Sequence, residues 1–275
     1  MIRFDFEYHR PETVRQAADV FRELSAAGKS PLYYGGGTEI VTSARLGQSE
    51  PGAVVDLKDI PELGVLEMDD GELTIGAART LADLSEADPW PFLSAAAGRV
   101  ADHTARCRIT LGGNIAGQIQ YREAALPLML AHAHAVLAGP KGQREVPFQE
   151  IFDGTLQIGE DEFIAQLKVP RDELDLPFFS RKRTRLDWVD YPLVTVCAVR
   201  GEDGLQVAIS GYCNAPFHSR ALDRALAEDG PAADRVRRAL RHVPSPVVSD
   251  VHGSAGYREL VLTTTLVDML QELGR

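Results

Sequence analysis

Only three cysteines occur in 275 residues, Cys107, Cys197 and Cys213. Their odd number argues against a disulfide framework, and their wide spacing fits no zinc or iron–sulfur ligand pattern. Any iron–sulfur chemistry this chain serves therefore belongs to another chain. Long apolar runs are missing too: none approaches the ~18–20 residues of a membrane span. Basic charge is in short supply, with 29 Lys and Arg against 40 Asp and Glu for a net −11. That balance excludes partners that need a basic face, such as nucleic acid or an anionic membrane. Arg3, Asp5 and Glu7 are unlike the start of a secretory signal, so a cytoplasmic location is expected. Neither the G-x-G-x-x-G nor the G-x-x-x-x-G-K-[ST] phosphate motif is present, and G-x-S-x-G is absent as well.

Glycine, by contrast, is concentrated in two places. Tyr33-Tyr34-Gly35-Gly36-Gly37-Thr38-Glu39 and Thr110-Leu111-Gly112-Gly113-Asn114 each join adjacent glycines to a hydroxyl, about seventy residues apart. Glycine permits positive φ and lets a ligand approach without a Cβ in the way. Consecutive N–H groups in such a turn form a concave nest for phosphate oxygens without a lysine. A lone Gly-Gly pair reads as an ordinary tight turn. Two such loops, each after a stretch that can be a strand, suggest a pyrophosphate and hence a dinucleotide.

Around these loops the pattern mixes helices and strands without a regular βαβ repeat, so the expected class is α+β. Thr13 opens a helix by a capping box with Gln16; Val14, Ala17, Ala18, Phe21 and Leu24 form its apolar stripe, and Gly28 ends it. Strands are expected at 32–34, 53–57, 72–77, 135–138 and 163–169, and helices at 38–46, from Thr80, at 91–100 and at 123–131. Pro170 to Pro177, charged and bounded by prolines, is the expected boundary between residues 1–170 and a smaller unit, 171–275. There, 194–200 and 205–210 flank Gly201-Glu202-Asp203-Gly204, a hairpin signal, with helices near 218–228, 232–241 and 257–273.

The flanks of the glycine clusters resemble a known family: the FAD-binding (medium) subunit of molybdenum hydroxylases, the xanthine dehydrogenase and carbon monoxide dehydrogenase family. The similarity lies in Phe4-Asp5-Phe6-Glu7-Tyr8-His9-Arg10-Pro11, in Gly35 to Ile40, in Val54-Val55-Asp56-Leu57 through Leu63, in Leu73 to Ala77, in Arg106 to Asn114, and in Ser254 to Leu270. These segments occur in one order over nearly the whole chain. Departures exist: Cys107 stands where asparagine is common, Glu39 and Glu123 where aspartate is usual, and Gln118 to Arg122 replaces a small Ser/Pro-rich segment.

The resemblance implies a two-part FAD-binding domain of the vanillyl-alcohol-oxidase/PCMH type, followed by a smaller domain of antiparallel sheet plus helices. It implies FAD as the cofactor, held without a covalent bond at Tyr33, Tyr34, Gly35, Gly36, Gly37, Thr38, Glu39, Thr110, Gly112, Gly113, Asn114 and Ile164. It adds Lys182, followed eight residues later by Asp190 as in the family, at the flavin or its ribityl chain. Glu123 falls where the family has a carboxylate on the adenosine side; a charge favoured by a helix N-terminus is the other reading. The implied partners are a small subunit with two [2Fe-2S] clusters and a large molybdopterin subunit, with electrons leaving to NAD⁺ or another acceptor.

No nucleophile or general base is expected from this chain. His132 and His134, two residues apart with no third ligand at metal spacing, read as ordinary histidines. Arg181-Lys182-Arg183-Thr184-Arg185, in so acidic a chain, reads as a strand end or a cofactor-facing edge. A free-standing FAD oxidase of the same fold is the alternative function, but the stretch after Pro170 is small for a substrate domain.

Overall fold

The structure, a computed structural model, describes residues 2–69, 71–186 and 189–274. It consists of three sheets met in succession along the chain. The first is parallel, in the order β1 (Glu7–His9), β3 (Ala53–Asp56), β2 (Pro31–Tyr34). The second is antiparallel and has five strands in the order β4 (Leu66–Asp69), β5 (Glu72–Gly76), β8 (Phe163–Pro170), β6 (His134–Gly139), β7 (Gly142–Pro147). The third, also antiparallel, runs β12 (Phe217–His218), β11 (Gly204–Ser210), β10 (Pro192–Gly201), β9 (Phe178–Thr184).

Helix α1 (Val14–Ala26) covers one face of the first sheet and reaches the second. Its buried Val14, Ala17, Phe21 and Leu24 pack with Ala53 and Val55 of β3 and with Val136, Ala138 and Phe163. The Thr13 hydroxyl caps the Gln16 N–H as expected, but the capping box is incomplete. The Gln16 side chain accepts from the Glu12 N–H at 3.0 Å instead of reaching back to Thr13. Helix α2 (Thr38–Leu46) starts directly after the first glycine cluster. Leu137, Ile164 and Leu167 of the second sheet pack with a helical layer formed by α3 (Leu81–Ala87), α4 (Pro91–Ala97), α6 (Leu111–Ala116), α7 (Ala125–Leu130) and α8 (Phe148–Ile151), with the short α5 (His103–Arg106) against α3.

The third sheet is buried on both sides. Cys197, Val199 and Ala208 face α4 and α7, while Val194, Val196, Val207 and Ile209 face α9 (Arg220–Ala227), α10 (Ala232–Ala239) and α11 (Ala255–Leu273). This explains the near-continuous apolar run of β10, which an antiparallel strand with one wet face would not show. Arg258, fully buried in α11, donates to the carbonyls of Pro192, Leu193 and Gly211 and to Asp250 at 2.6–3.1 Å, fixing the entry of β10. Among the described residues, no helix is long and apolar enough to cross a membrane.

Candidate functional site

The two glycine clusters, far apart in sequence, touch. A Cβ on Gly35 would lie 2.6 Å from the Thr110 hydroxyl oxygen, and one on Gly36 would run into the carbonyl oxygen of Arg108. Glycine at 36 is therefore demanded by the approach of one main chain to another, not only by room for a ligand. Gly37 has φ +71° and serves as the N-terminal cap of α2. Tyr34 closes over its Cα, since a Cβ there would meet the phenol oxygen and ring. Glu39, in the first turn of α2, ties the clusters from the other side: its carboxylate accepts from the Gln118 N–H at 2.6 Å and abuts Gly117.

The clusters differ in what they offer a ligand. At the second, the N–H of Leu111 donates to the Arg79 carbonyl, that of Gly112 to Ala77 and that of Gly113 to the Thr110 hydroxyl, at 2.8–3.1 Å. This corrects the reading of it as a loop after a stretch that can be a strand. Thr110 is the N-cap of α6, and Gly112 and Gly113 lie inside that helix's first turn. Asn114 also turns inward, its side-chain oxygen accepting from the Ala124 N–H at 3.1 Å. At the first cluster the opposite holds. Among the described residues, no acceptor takes the N–H groups of Gly36, Gly37, Thr38 or Glu39. They are the free donors at the start of the nine-residue α2, where helix geometry and the macrodipole favour an anion.

A cleft of about 160 Å³ runs between the clusters and the second sheet. Tyr33, Gly35, Thr110, Gly112, Gly113 and Ile164 of the expected positions line it. Tyr33 is fixed there by stacking on Phe21 at 4.2 Å, by Phe163 at 4.6 Å and by donating its hydroxyl to the Asp161 carbonyl. Burial raises the pKa of its phenol, so it stays protonated. Leu156, Ile158 and Glu162 complete the far wall. The pattern read from sequence did not single these out, because they lie in irregular chain or beside a strand with no motif.

Glu123 and Lys182 are brought together, but with each other and outside the lining of this cleft. Lys182 pairs with Thr195 across β9 and β10, so both side chains leave the sheet on one face. The Thr195 hydroxyl donates to Glu123 at 2.8 Å, the Lys182 ammonium lies 3.6 Å from the same carboxylate, and it donates to the Arg99 carbonyl at 3.0 Å. Burial raises the Glu123 pKa against the pull of Lys182 and Thr195. Lys58 was missed altogether in the sequence. It follows β3 by two residues, donates to the Gly35 carbonyl and pairs with the buried Asp56.

An open N-terminal turn, a neighbouring closed one and a cleft lined by Gly35 and the second cluster are the features of a nucleotide-binding class of fold. The chain belongs to the family described as the FAD binding domain in molybdopterin dehydrogenase, whose model matches residues 4–172. It is 28% identical over 273 residues to the carbon monoxide dehydrogenase medium chain of Hydrogenophaga pseudoflava, covering 94% of this chain and 93% of that one. It is 24% identical over 283 residues to the 6-hydroxypseudooxynicotine dehydrogenase complex subunit alpha of Paenarthrobacter nicotinovorans, covering 94% and 91%. The solved carbon monoxide dehydrogenase of Hydrogenophaga pseudoflava, in a form lacking the Mo-pyranopterin moiety of its molybdenum cofactor, superposes with a TM-score of 0.86 at 25% identity over 99% of this chain and 98% of that one. The α+β class and the PCMH type of the FAD domain expected from the sequence are thus borne out, as is membership of the medium-subunit family.

Proposed function

We propose that this chain is the flavin subunit of a heteromeric molybdenum hydroxylase, and that the open turn at Gly36–Glu39 takes the pyrophosphate of FAD. The observation that carries the reading is the contrast between four free N–H groups at the start of α2 and the saturated N–H groups of the second cluster. The residues fit the cofactor: the turn offers backbone donors without a Cβ at Gly36 or Gly37, and the cleft that begins at Gly35 is largely apolar. FAD, when bound, would supply the redox chemistry that links a [2Fe-2S] partner subunit to NAD⁺ or another acceptor.

The chain's own residues bind and orient. Gly36, Gly37, Thr38 and Glu39 donate main-chain hydrogen bonds to the phosphates, with the α2 dipole adding to the attraction. Tyr33, Ile164 and the faces of Gly35, Gly112 and Gly113 line the cleft that would take the nucleotide. Thr110 anchors the second wall by capping α6 and supports Gly35. Glu123 and Lys182 hold the third sheet against the helical layer, one residue along from the Ala124 N–H that Asn114 secures. No side chain here is asked to act as nucleophile or base, and the substrate is set by the molybdopterin subunit.

Purification from the native host tests this. The chain is expected to come with a [2Fe-2S] subunit and a molybdopterin subunit, and to be yellow. Acid denaturation is expected to release all of the chromophore, because no histidine or cysteine adjoins the first turn in the sequence. A lone chain that turns over a substrate by itself would favour the free-standing oxidase, and a colourless chain that takes up no FAD would overturn the reading.

A further inference from the structure

The group beneath the first glycine turn has no part in the binding scheme above. The Lys58 ammonium donates to the Gly35 carbonyl at 2.9 Å and to both carboxylate oxygens of Asp56 at 2.7 and 2.8 Å, and it sits 4.6 Å above the centre of the Tyr34 ring. Asp56 is 2% exposed and is reached from the far side by the Tyr8 hydroxyl. Burial would raise the Asp56 pKa, but Lys58 and Tyr8 together hold it below the ordinary carboxylate range. The hydrogen bond to Asp56 in turn pushes the Tyr8 phenol up to about 12. Tyr8 therefore stays protonated and Asp56 ionised across the neutral range.

Two consequences follow from elementary geometry. A trans peptide is planar, with its C=O and N–H pointing in opposite directions. Lys58, by holding the carbonyl of Gly35, therefore aims the N–H of Gly36 away from itself, on the side where no protein acceptor waits. Lys58 also holds the face of Tyr34, whose phenol end closes on the Cα of Gly37 in its left-handed conformation. One ammonium thereby fixes both peptide orientation and turn conformation at the start of α2. Its charge is matched by Asp56, so its influence on an anion comes through the turn and not through direct attraction.

We propose that Lys58 is a positioning residue for the pyrophosphate of the cofactor, presetting the Gly36–Glu39 turn; the proposal rests on the reading of that turn as the FAD phosphate site. The test is titration of the cofactor-free full chain with FAD, and with ADP as competitor, following flavin fluorescence. The wild-type titration tests the binding reading by itself, and the ratio of variant to wild type tests the role of Lys58. Lys58→Met is expected to weaken FAD and ADP alike by at least about tenfold, the worth of a charge-assisted hydrogen bond. Lys58→Arg, which keeps the charge and the donors, is expected to restore most of the affinity. Asp56→Asn separates positioning from attraction: removing a negative charge would tighten binding if Lys58 acted on phosphate directly, whereas loss of its anchor loosens the turn and weakens binding. Melting curves of the cofactor-free variants control for folding, and Asp56→Asn decides the matter if Lys58→Met does not fold. Unchanged FAD affinity in Lys58→Met, or tighter binding in Asp56→Asn, overturns the proposal.

Discussion

The ammonium of Lys182 lies 3.6 Å from the carboxylate of Glu123, and both side chains are almost wholly withdrawn from water, at 2% and 5% exposure. Lys182 belongs to β9 of the third sheet and Glu123 to the turn that leads into α7 of the helical layer, so the pair spans the seam between them. Removing one partner leaves the other charge buried and unpaired, a loss of about 3–5 kcal/mol. Lys182→Met is therefore expected to lower the melting temperature sharply, and the double variant Lys182→Met/Glu123→Gln to recover part of the loss. The flavin potential of the folded fraction is expected to match that of the wild type. A fall of tens of millivolts without loss of stability would instead put Lys182 at the flavin ring. Thermal melting together with a redox titration of the flavin distinguishes the two.

The glycines give a graded pair of substitutions. In Gly36→Ala the new methyl meets the main-chain carbonyl of Arg108, which cannot swing aside as a side chain can. The two clusters must part, and both stability and FAD binding are expected to be lost. In Gly113→Ala the methyl meets the Thr110 hydroxyl oxygen at 2.8 Å, and that hydroxyl is the cap of α6. Loss of a cap costs ~1 kcal/mol, so this variant is expected to fold, melt a few degrees lower and still bind FAD. Chemical denaturation of each chain without cofactor, followed by flavin titration, measures both effects. Equal and complete loss of binding in two well-folded variants would return the glycines to the role of making room for phosphate.

The first turn was legible in the sequence because strand, glycines and helix follow one another with the expected residue types, and β2 and α2 start or stop within a residue of where the pattern put them. The second was misread for a physical reason. Gly112 and Gly113 are poor helix formers and hid the short α6, although Thr110 three residues before Gly113 is an ordinary capping signal. β7 (Gly142–Pro147), mostly exposed, lacks the alternation that marks a half-buried strand, and β4 is exposed in the same way. The hairpin at 201–204 was readable from its glycines. Lys58 carried no local signal, since its role exists only because β2 and β3 are parallel neighbours that set Tyr34 beside Asp56.

His132 links three parts of the chain and is expected to make its neighbourhood sensitive to pH. It follows α7, its Nδ1 meets the Glu173 carboxylate, and its Nε2 lies 3.3 Å from Asp203 in the β10–β11 turn. The hydrogen bond with Glu173 is the main cause that raises its pKa above the ordinary histidine value, with Asp203 adding to it against partial burial. A histidine whose pKa is raised by folding stabilises the folded state fully below its unfolded pKa, and the contribution fades as pH climbs through the higher, folded pKa. His132 and Asp203 are exposed, so the effect on overall stability is small and weakened by salt. It is best followed locally, by the titration of the His132 ring protons in NMR and by hydrogen exchange in the 201–204 turn. The ring is expected to titrate above the ordinary histidine value and exchange in the turn to quicken once it is neutral. His132→Gln is expected to remove that pH dependence while leaving flavin binding intact, and a ring that titrates at or below 6.5 would show that the two carboxylates do not hold it.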